Sequence, residues 1–376
     1  MRSRAARFLV LVPLALLSQE NAFADTRSAG GALSALPTAF FAATPTISNV
    51  AGTVATGQTL TITGTNMLQE NKTNWKPDLQ TGSKYGFEGA SASADSWLCP
   101  QANPNYCMSY VTDVKLMGEK SSLAHASGAS AENIGGGYTI YDSNTGLGQN
   151  LYIRFYTRFN AAGNIWPTSH VKMVDSMGTT GDVGFQYYYQ PAVNGGATPN
   201  HMTAVYRDPL EAGNANHLHA IPPGGPLQAD RWYCVELQWF ASPYTFKAWV
   251  DGQEVFSASP PHAPALRWLM FGLINLKGTP SNFDLKNWYD SAAVSTSRIY
   301  PASVIEVSGD GTNWKYQEPV YLSETSSRIK LDLAGLAGTS YQLRVTNNQQ
   351  QTSTVYHLNG SSNRPAPASP TNLRVF

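Results

Sequence analysis

The hydrophobic and polar positions of this chain fall into strand-length runs. TLTITG, LYIRFYTRF, VGFQYYYQ, WYCVELQWF, YTFKAWVDG and LRWLMFGLINL are rich in β-branched and aromatic residues, and groups of Gly, Pro, Asn or Asp separate them. Several runs alternate with period two, which gives a strand two chemically different faces. No stretch of helical length carries an apolar stripe at period 3.6. Ser242-Pro243-Tyr244 stands between two runs and predicts a hairpin, and Asp251-Gly252 predicts another before QEVFSA. The pattern predicts an all-β protein made of antiparallel β-sandwiches.

The runs also suggest how the chain is divided. Residues 45–67 and 302–359 each hold too few strands to bury a core alone, and together they supply enough for one small sandwich. Residues 68–301 then form a second, larger sandwich inserted between them. Such an insertion needs closely spaced ends and an exposed host loop. The segment 360–376 is a polar, Pro- and Ser-rich tail. At the other end, Arg2, Arg4 and Arg7 precede the apolar stretch 8–17, and Ala22-Phe23-Ala24 fits a cleavage site. Residues 1–24 therefore read as a signal peptide and 25–44 as a flexible leader.

Composition narrows the function classes. Charged residues make up 13% of the chain, aromatics 11%, and the formal net charge is zero. No basic stripe offers a footprint for nucleic acid, and no transmembrane span follows the leader. The signal places the protein outside the cytoplasm, as a secreted, periplasmic or cell-surface chain. There Cys99 and Cys107, which flank the turn-forming PQANPNY, are expected to pair as a disulfide, and Cys234 in an apolar run to be the buried odd thiol. Three free thiols are the alternative. No motif for an organic cofactor occurs, and the sequence assigns no oligomeric state.

Two resemblances follow. The terminal pieces resemble the IPT/TIG immunoglobulin-like domain, through PTISNV, GQTLTITG and Asn66, and through Tyr341-Gln342-Leu343-Arg344-Val345-Thr346-Asn347. The insert resembles the concanavalin A-like jelly rolls of laminin-G-type lectin modules, family 16-type glucanases and several polysaccharide lyases. Tyr85-Gly86-Phe87-Glu88-Gly89, Arg231-Trp232-Tyr233-Cys234-Val235-Glu236, Phe246-Lys247-Ala248-Trp249-Val250-Asp251-Gly252 and Asn287-Trp288-Tyr289-Asp290 carry that likeness. It implies a polysaccharide partner and a structural Ca²⁺ held by Glu88 and Asp290, since calcium takes hard oxygen ligands. The paired-acid E-x-D-x-E strand of the glucanases does not occur, which argues against hydrolysis by two neighbouring carboxyl groups.

The candidate chemistry rests on faces of strands. His170 and Lys172 share a face of SHVKMV, and Gln186, Tyr188 and Gln190 share one of VGFQYYYQ. Tyr152, Arg154, Tyr156 and Arg158 share one of LYIRFYTRF. If these strands are neighbours, one sheet face gathers imidazole, ammonium, amide, phenol and guanidinium. That set suits β-elimination of a uronate polymer, in which the carboxylate is neutralised, a base removes the C5 proton and an acid protonates the leaving oxygen. Gln186, Arg154 or Lys172 would neutralise, His170 would be the base, and Tyr188 the acid or both. Tyr156, Arg158, Gln190, His217 and His219 would line the rest of the groove; His217 and His219 could instead share a metal ion. A groove that binds glycan without cleaving it, or a plain polar outer face, would show the same alternation.

Overall fold

The computed structural model describes residues 43–76, 85–97, 99, 107–127, 134–139, 146–160, 171–178, 183–190, 201–207, 215–220, 225–260, 263–274 and 284–358; within 183–190, 201–207 and 215–220 it describes backbone alone. The expected signal peptide, nearly all of the leader, the tail and His170 lie outside the described residues.

Strands β1 (Thr46–Ala51) and β2 (Thr59–Thr65) come first. They are followed by β3 (Ser109–Val111), β4 (Ser121–Ser127), β5 (Ile134–Thr139), β6 (Asn150–Phe159), β7 (Val171–Gly178), β8 (Val183–Gln190), β9 (His201–Arg207) and β10 (Ala215–Ala220). Next are β11 (Tyr233–Ala241), β12 (Tyr244–Val250), β13 (Gln253–Ala258), β14 (Leu266–Ile274) and β15 (Asp284–Ser295). The last are β16 (Ser303–Ser308), β17 (Lys315–Tyr316), β18 (Glu318–Tyr321), β19 (Ser326–Lys330), β20 (Gln342–Asn347) and β21 (Tyr356–His357). No helix occurs among the described residues, so none there is long and apolar enough to cross a membrane.

These strands make four antiparallel sheets. Two large ones face each other: a seven-stranded sheet ordered β13-β12-β11-β6-β15-β4-β3 and a six-stranded sheet ordered β10-β9-β8-β7-β14-β5. Two four-stranded sheets, β1-β2-β19-β18 and β17-β16-β20-β21, join the ends of the chain. In the first of these β2 pairs with β19, so Ile62 lies opposite Ser327, 265 positions later in the chain. The fold is an all-β sandwich architecture, as the alternation predicts.

The main core lies between the two large sheets. Leu151, Ile153 and Phe155 of β6, Val235, Leu237 and Trp239 of β11, and Leu269, Phe271 and Leu273 of β14 are almost wholly buried there. The phenol of Tyr289 on β15 reaches across, its single O–H shared between the carbonyls of Met173 and Gly272, each at 2.8 Å. A hydroxyl this deep needs such partners, because an unpaired buried polar group is costly.

A second core explains why β6 and β11 are buried on both faces. Tyr156, Trp232, Cys234 and Trp288 stand on the outer face of the seven-stranded sheet and pack with Leu60, Ile62, Ile305, Val307, Leu343 and Val345 of the small sheets. Fully burying a side chain of this kind stabilises by roughly 1.5–3 kcal/mol. The small sandwich and the large one therefore share a core. Cys234 is the buried free thiol of the described residues, and Cys99 and Cys107 form a disulfide.

Candidate functional site

Four adjacent strands, β7 to β10, build one side of the six-stranded sheet's outer face. On β7, Met173 and Val174 are both buried in the main core, while Lys172 and Asp175 are half-buried on the other side. A bulge between Lys172 and Val174 allows this. Strict alternation would set Asp175 opposite to Lys172, whereas one extra residue restores both to one face. Lys172 Nζ lies 3.3 Å from Asp175 Oδ2.

Register extends that face sideways. Lys172 pairs with Tyr188 on β8, Tyr188 with Thr203 on β9, and Thr203 with His219 on β10. The adjacent row runs Asp175, Gln186, Val205, His217. Gln190 pairs with His201 one step further along. Directly paired positions of an antiparallel ladder share a face, so Lys172, Gln186, Tyr188, Gln190, His217 and His219 occupy positions on a single face. Neighbouring strands lie about 4.8 Å apart, which makes each four-strand row roughly 14 Å long. Val174, Tyr187 and Ala204 form the intervening row on the core side. His170 belongs to the expected set, but lies outside the described residues. Asp175 was not part of it, because its alternation with Lys172 hides the pairing that the bulge creates.

The third strand of the expected groove is elsewhere. β6 belongs to the seven-stranded sheet, so Arg154, Tyr156 and Arg158 do not join Lys172 and Tyr188. Arg154 and Tyr156 do share a face, and it is the covered one. Arg154 is fully buried, with Nη1 2.6 Å from Glu70 Oε1. Its Nη1 also donates to the carbonyl of Tyr300 at 3.1 Å, and its Nη2 to the hydroxyl of Tyr85 at 2.6 Å. That hydroxyl in turn donates to Glu70. Tyr156 accepts the backbone N–H of Ala302 at 2.9 Å. Arg158 pairs with Asp230 at 3.1 Å, over the ring of Trp288. Arg154 and Tyr156 thereby tie the segment after β2 and the start of the small sandwich to the large one, while the contacts of Arg158 stay within the large sandwich. Their partners Glu70 and Tyr85 are far apart in sequence, and no local spacing announces them.

Burial shifts two further carboxylates of the large sandwich. Burial raises Glu236 to about 7, against the pull of Arg298. Burial likewise raises Asp251 to about 6, although Arg231 lies 2.7 Å away.

Glu88 and Asp290 converge on one loop, residues 116–120. Asp290 is fully buried; its Oδ2 accepts the N–H groups of Leu116 and Met117 at 2.8 and 3.0 Å, and its Oδ1 the Ser291 hydroxyl at 3.1 Å. Burial raises it to about 7, with the amide bonds opposing. Glu88 Oε1 accepts the N–H groups of Glu119 and Lys120 at 2.9 and 3.4 Å. Such donors already engage Asp290 Oδ1 and Oδ2 and Glu88 Oε1, so as arranged the pair offers few of the hard oxygens that the cation implied by the resemblance collects. Among the described residues no group of three or more His, Cys, Asp or Glu is placed to hold a metal ion.

The sheets define a protein of the all-β sandwich class. No family model and no curated protein matches the chain. Among solved structures, similarity is found to an endo-β-1,4-glucuronan lyase from the fungus Trichoderma reesei (TM-score 0.36, 17% identity, covering 50% of this chain and 87% of that one). An alginate lyase from Klebsiella pneumoniae gives a TM-score of 0.38 at 9% identity, over 49% of this chain and 84% of the other. A ganglioside-binding botulinum neurotoxin type C structure gives 0.34 at 12%, over 50% and 43%. Likeness this distant carries no argument about chemistry.

Proposed function

We propose that this chain is a secreted polysaccharide-active protein that engages a uronate-containing glycan along the outer face of the six-stranded sheet and cleaves it by β-elimination. The observation that supports this reading is the pair of adjacent rows Lys172, Tyr188, Thr203, His219 and Asp175, Gln186, Val205, His217. They bring the positions of an ammonium, a phenol, an amide and two imidazoles onto one face. In the proposed reaction Lys172 and Gln186 neutralise the uronate carboxylate, which makes the C5 proton more acidic. His170 or the Tyr188 phenolate removes that proton, and the electron pair forms the C4–C5 double bond. The C4–O bond breaks, and its oxygen takes a proton from Tyr188. Gln190, His217 and His219 line the path of the polymer.

One observation favours a second reading, a glycan-binding module without turnover. Lys172 is already paired with Asp175, which lessens the positive charge it can offer a uronate.

The experiment is incubation of the pure protein with alginate, glucuronan, pectin and glycosaminoglycans while ultraviolet absorbance of the new double bond is followed. Turnover that disappears in His170→Ala or Tyr188→Phe, with the melting temperature unchanged, supports the eliminase. Retardation in a polyuronate affinity gel with no absorbance change supports the binding module. Neither signal on any polymer ends both readings.

A further inference from the structure

We propose that the ammonium of Lys120 takes the place of a divalent cation at the joint between residues 85–89 and the middle of β15, so that this sandwich closes without calcium. The joint is built from two acids and one loop. Asp290 grips the amides at the start of residues 116–120 and Glu88 those at the end. Four backbone N–H groups thereby bond Asp290 Oδ2 and Glu88 Oε1 from within the chain. Gly118 lets the loop come this close: its φ is +61°, and a Cβ there would stand 1.9 Å from Glu88 Oε1.

Two backbone carbonyls of residues 85–89 add hard oxygen ligands of the kind a calcium ion collects. Those of Glu88 and Gly89 receive Lys120 Nζ at 3.3 and 2.6 Å. The ammonium has three donors and no acceptor, so it can serve both carbonyls at once. A calcium ion would need six to eight oxygens at about 2.3–2.6 Å, and the oxygens here are turned to N–H donors. The amides and the ammonium thus share the work of a cation.

The position makes the joint consequential. Leu116 and Met117 belong to the core shared with the small sandwich, and the carbonyl of Leu116 accepts the N–H of Leu322 at 2.7 Å. Residues 116–120 touch the large sandwich through Asp290 and the small one through Leu322. Loosening Lys120 therefore loosens the joint between both.

The test is thermal unfolding of the full chain in excess chelator and in millimolar Ca²⁺, with calorimetric titration of Ca²⁺ alone. The wild type melts at one temperature in both and gives no binding heat. A saturable rise of its melting temperature with Ca²⁺, or micromolar binding, overturns the proposal whether or not any variant folds. Lys120→Ala melts several degrees lower, Lys120→Arg recovers most of that loss, and ethylammonium restores part of it to Lys120→Ala. Tetramethylammonium, which cannot donate a hydrogen bond, does not. A Lys120→Ala protein that melts with the wild type also overturns it.

Discussion

Replacing Arg154 with methionine separates a structural guanidinium from a catalytic one. The residue is fully buried, and its partner Glu70 keeps only 9% of its side chain exposed. Removing one member of a buried ion pair leaves the other charge uncompensated, at a cost of about 3–5 kcal/mol. Here the carbonyl of Tyr300 and the hydroxyl of Tyr85 also lose a donor. Arg154→Met should therefore lose about 3–5 kcal/mol in urea unfolding. Glu70→Gln in the same chain should return part of that, because a neutral amide tolerates burial without a cation; couplings between contacting residues run to about 0.5–3 kcal/mol. Turnover per folded molecule should not change, since β6 is in the other sheet from β7 and β8. A stability loss below 1 kcal/mol, or abolished turnover at an unchanged urea midpoint, would refute this assignment.

Three further outcomes follow from the geometry. Glu236, Asp251 and Asp290 are held at about 7, 6 and 7, above the ordinary carboxylate range. The native state therefore keeps protons that the unfolded chain releases, and stability should rise as pH falls from about 8 to 5.5, by about 1.4 kcal/mol for each pKa unit per group; a flat or falling urea midpoint over that window contradicts it. Gly118→Ala should destabilise more than Gly57→Ala, because both residues have positive φ but a Cβ at Gly57 has nothing within 4 Å; equal urea midpoints would show that the Glu88 contact costs nothing. Reducing Cys99–Cys107, which are 8 positions apart, should cost about 2–3 kcal/mol by the loop-entropy relation, and an unchanged midpoint in reductant would show that the bridge adds no constraint.

The sequence reads well where the signal is local. TLTITG becomes β2, LYIRFYTRF β6, VGFQYYYQ β8 and WYCVELQWF β11, each within a residue or two. Ser242-Pro243 and Asp251-Gly252 fall at the two turns of β11-β12-β13, because hairpin chemistry is set by adjacent residues. Sheet membership is not local. β6 and β7 follow each other in the chain and belong to different sheets, and alternation within a strand says nothing of which sheet it joins. Nor does alternation tell a wet face from one covered by a second sandwich. A cue to the covered face of β6 was present: Tyr152 and Tyr156 interleave with Arg154, and that face carries no Lys or Glu. The bulge at β7 and the grip on residues 116–120 depend on backbone geometry that residue types do not encode.

The covered face also decides where a ligand can sit. The inner faces of the two large sheets close on each other around the main core. The centre of the outer face of the seven-stranded sheet is filled by Tyr156, Trp232, Cys234 and Trp288 against the small sandwich. Its flank is held by Trp75, Ala293 and Ile299 beneath residues 68–76, with Trp75 bridged to Ser295. A polymer cannot enter either place without breaking a core. The proposed glycan path lies away from both cores, on the outer face of the six-stranded sheet, whose β7 to β10 rows carry most of the polar positions singled out from sequence. On the proposed reading the small sandwich acts through stability alone. Ile62→Ala in β2 should weaken the fold by about 2–5 kcal/mol, the cost of a large-to-small change in a core, and leave polyuronate affinity of the folded protein unaltered. Affinity lost in step with a change in the small sandwich, at constant folded fraction, would mean that the glycan is bound on the other side of the molecule.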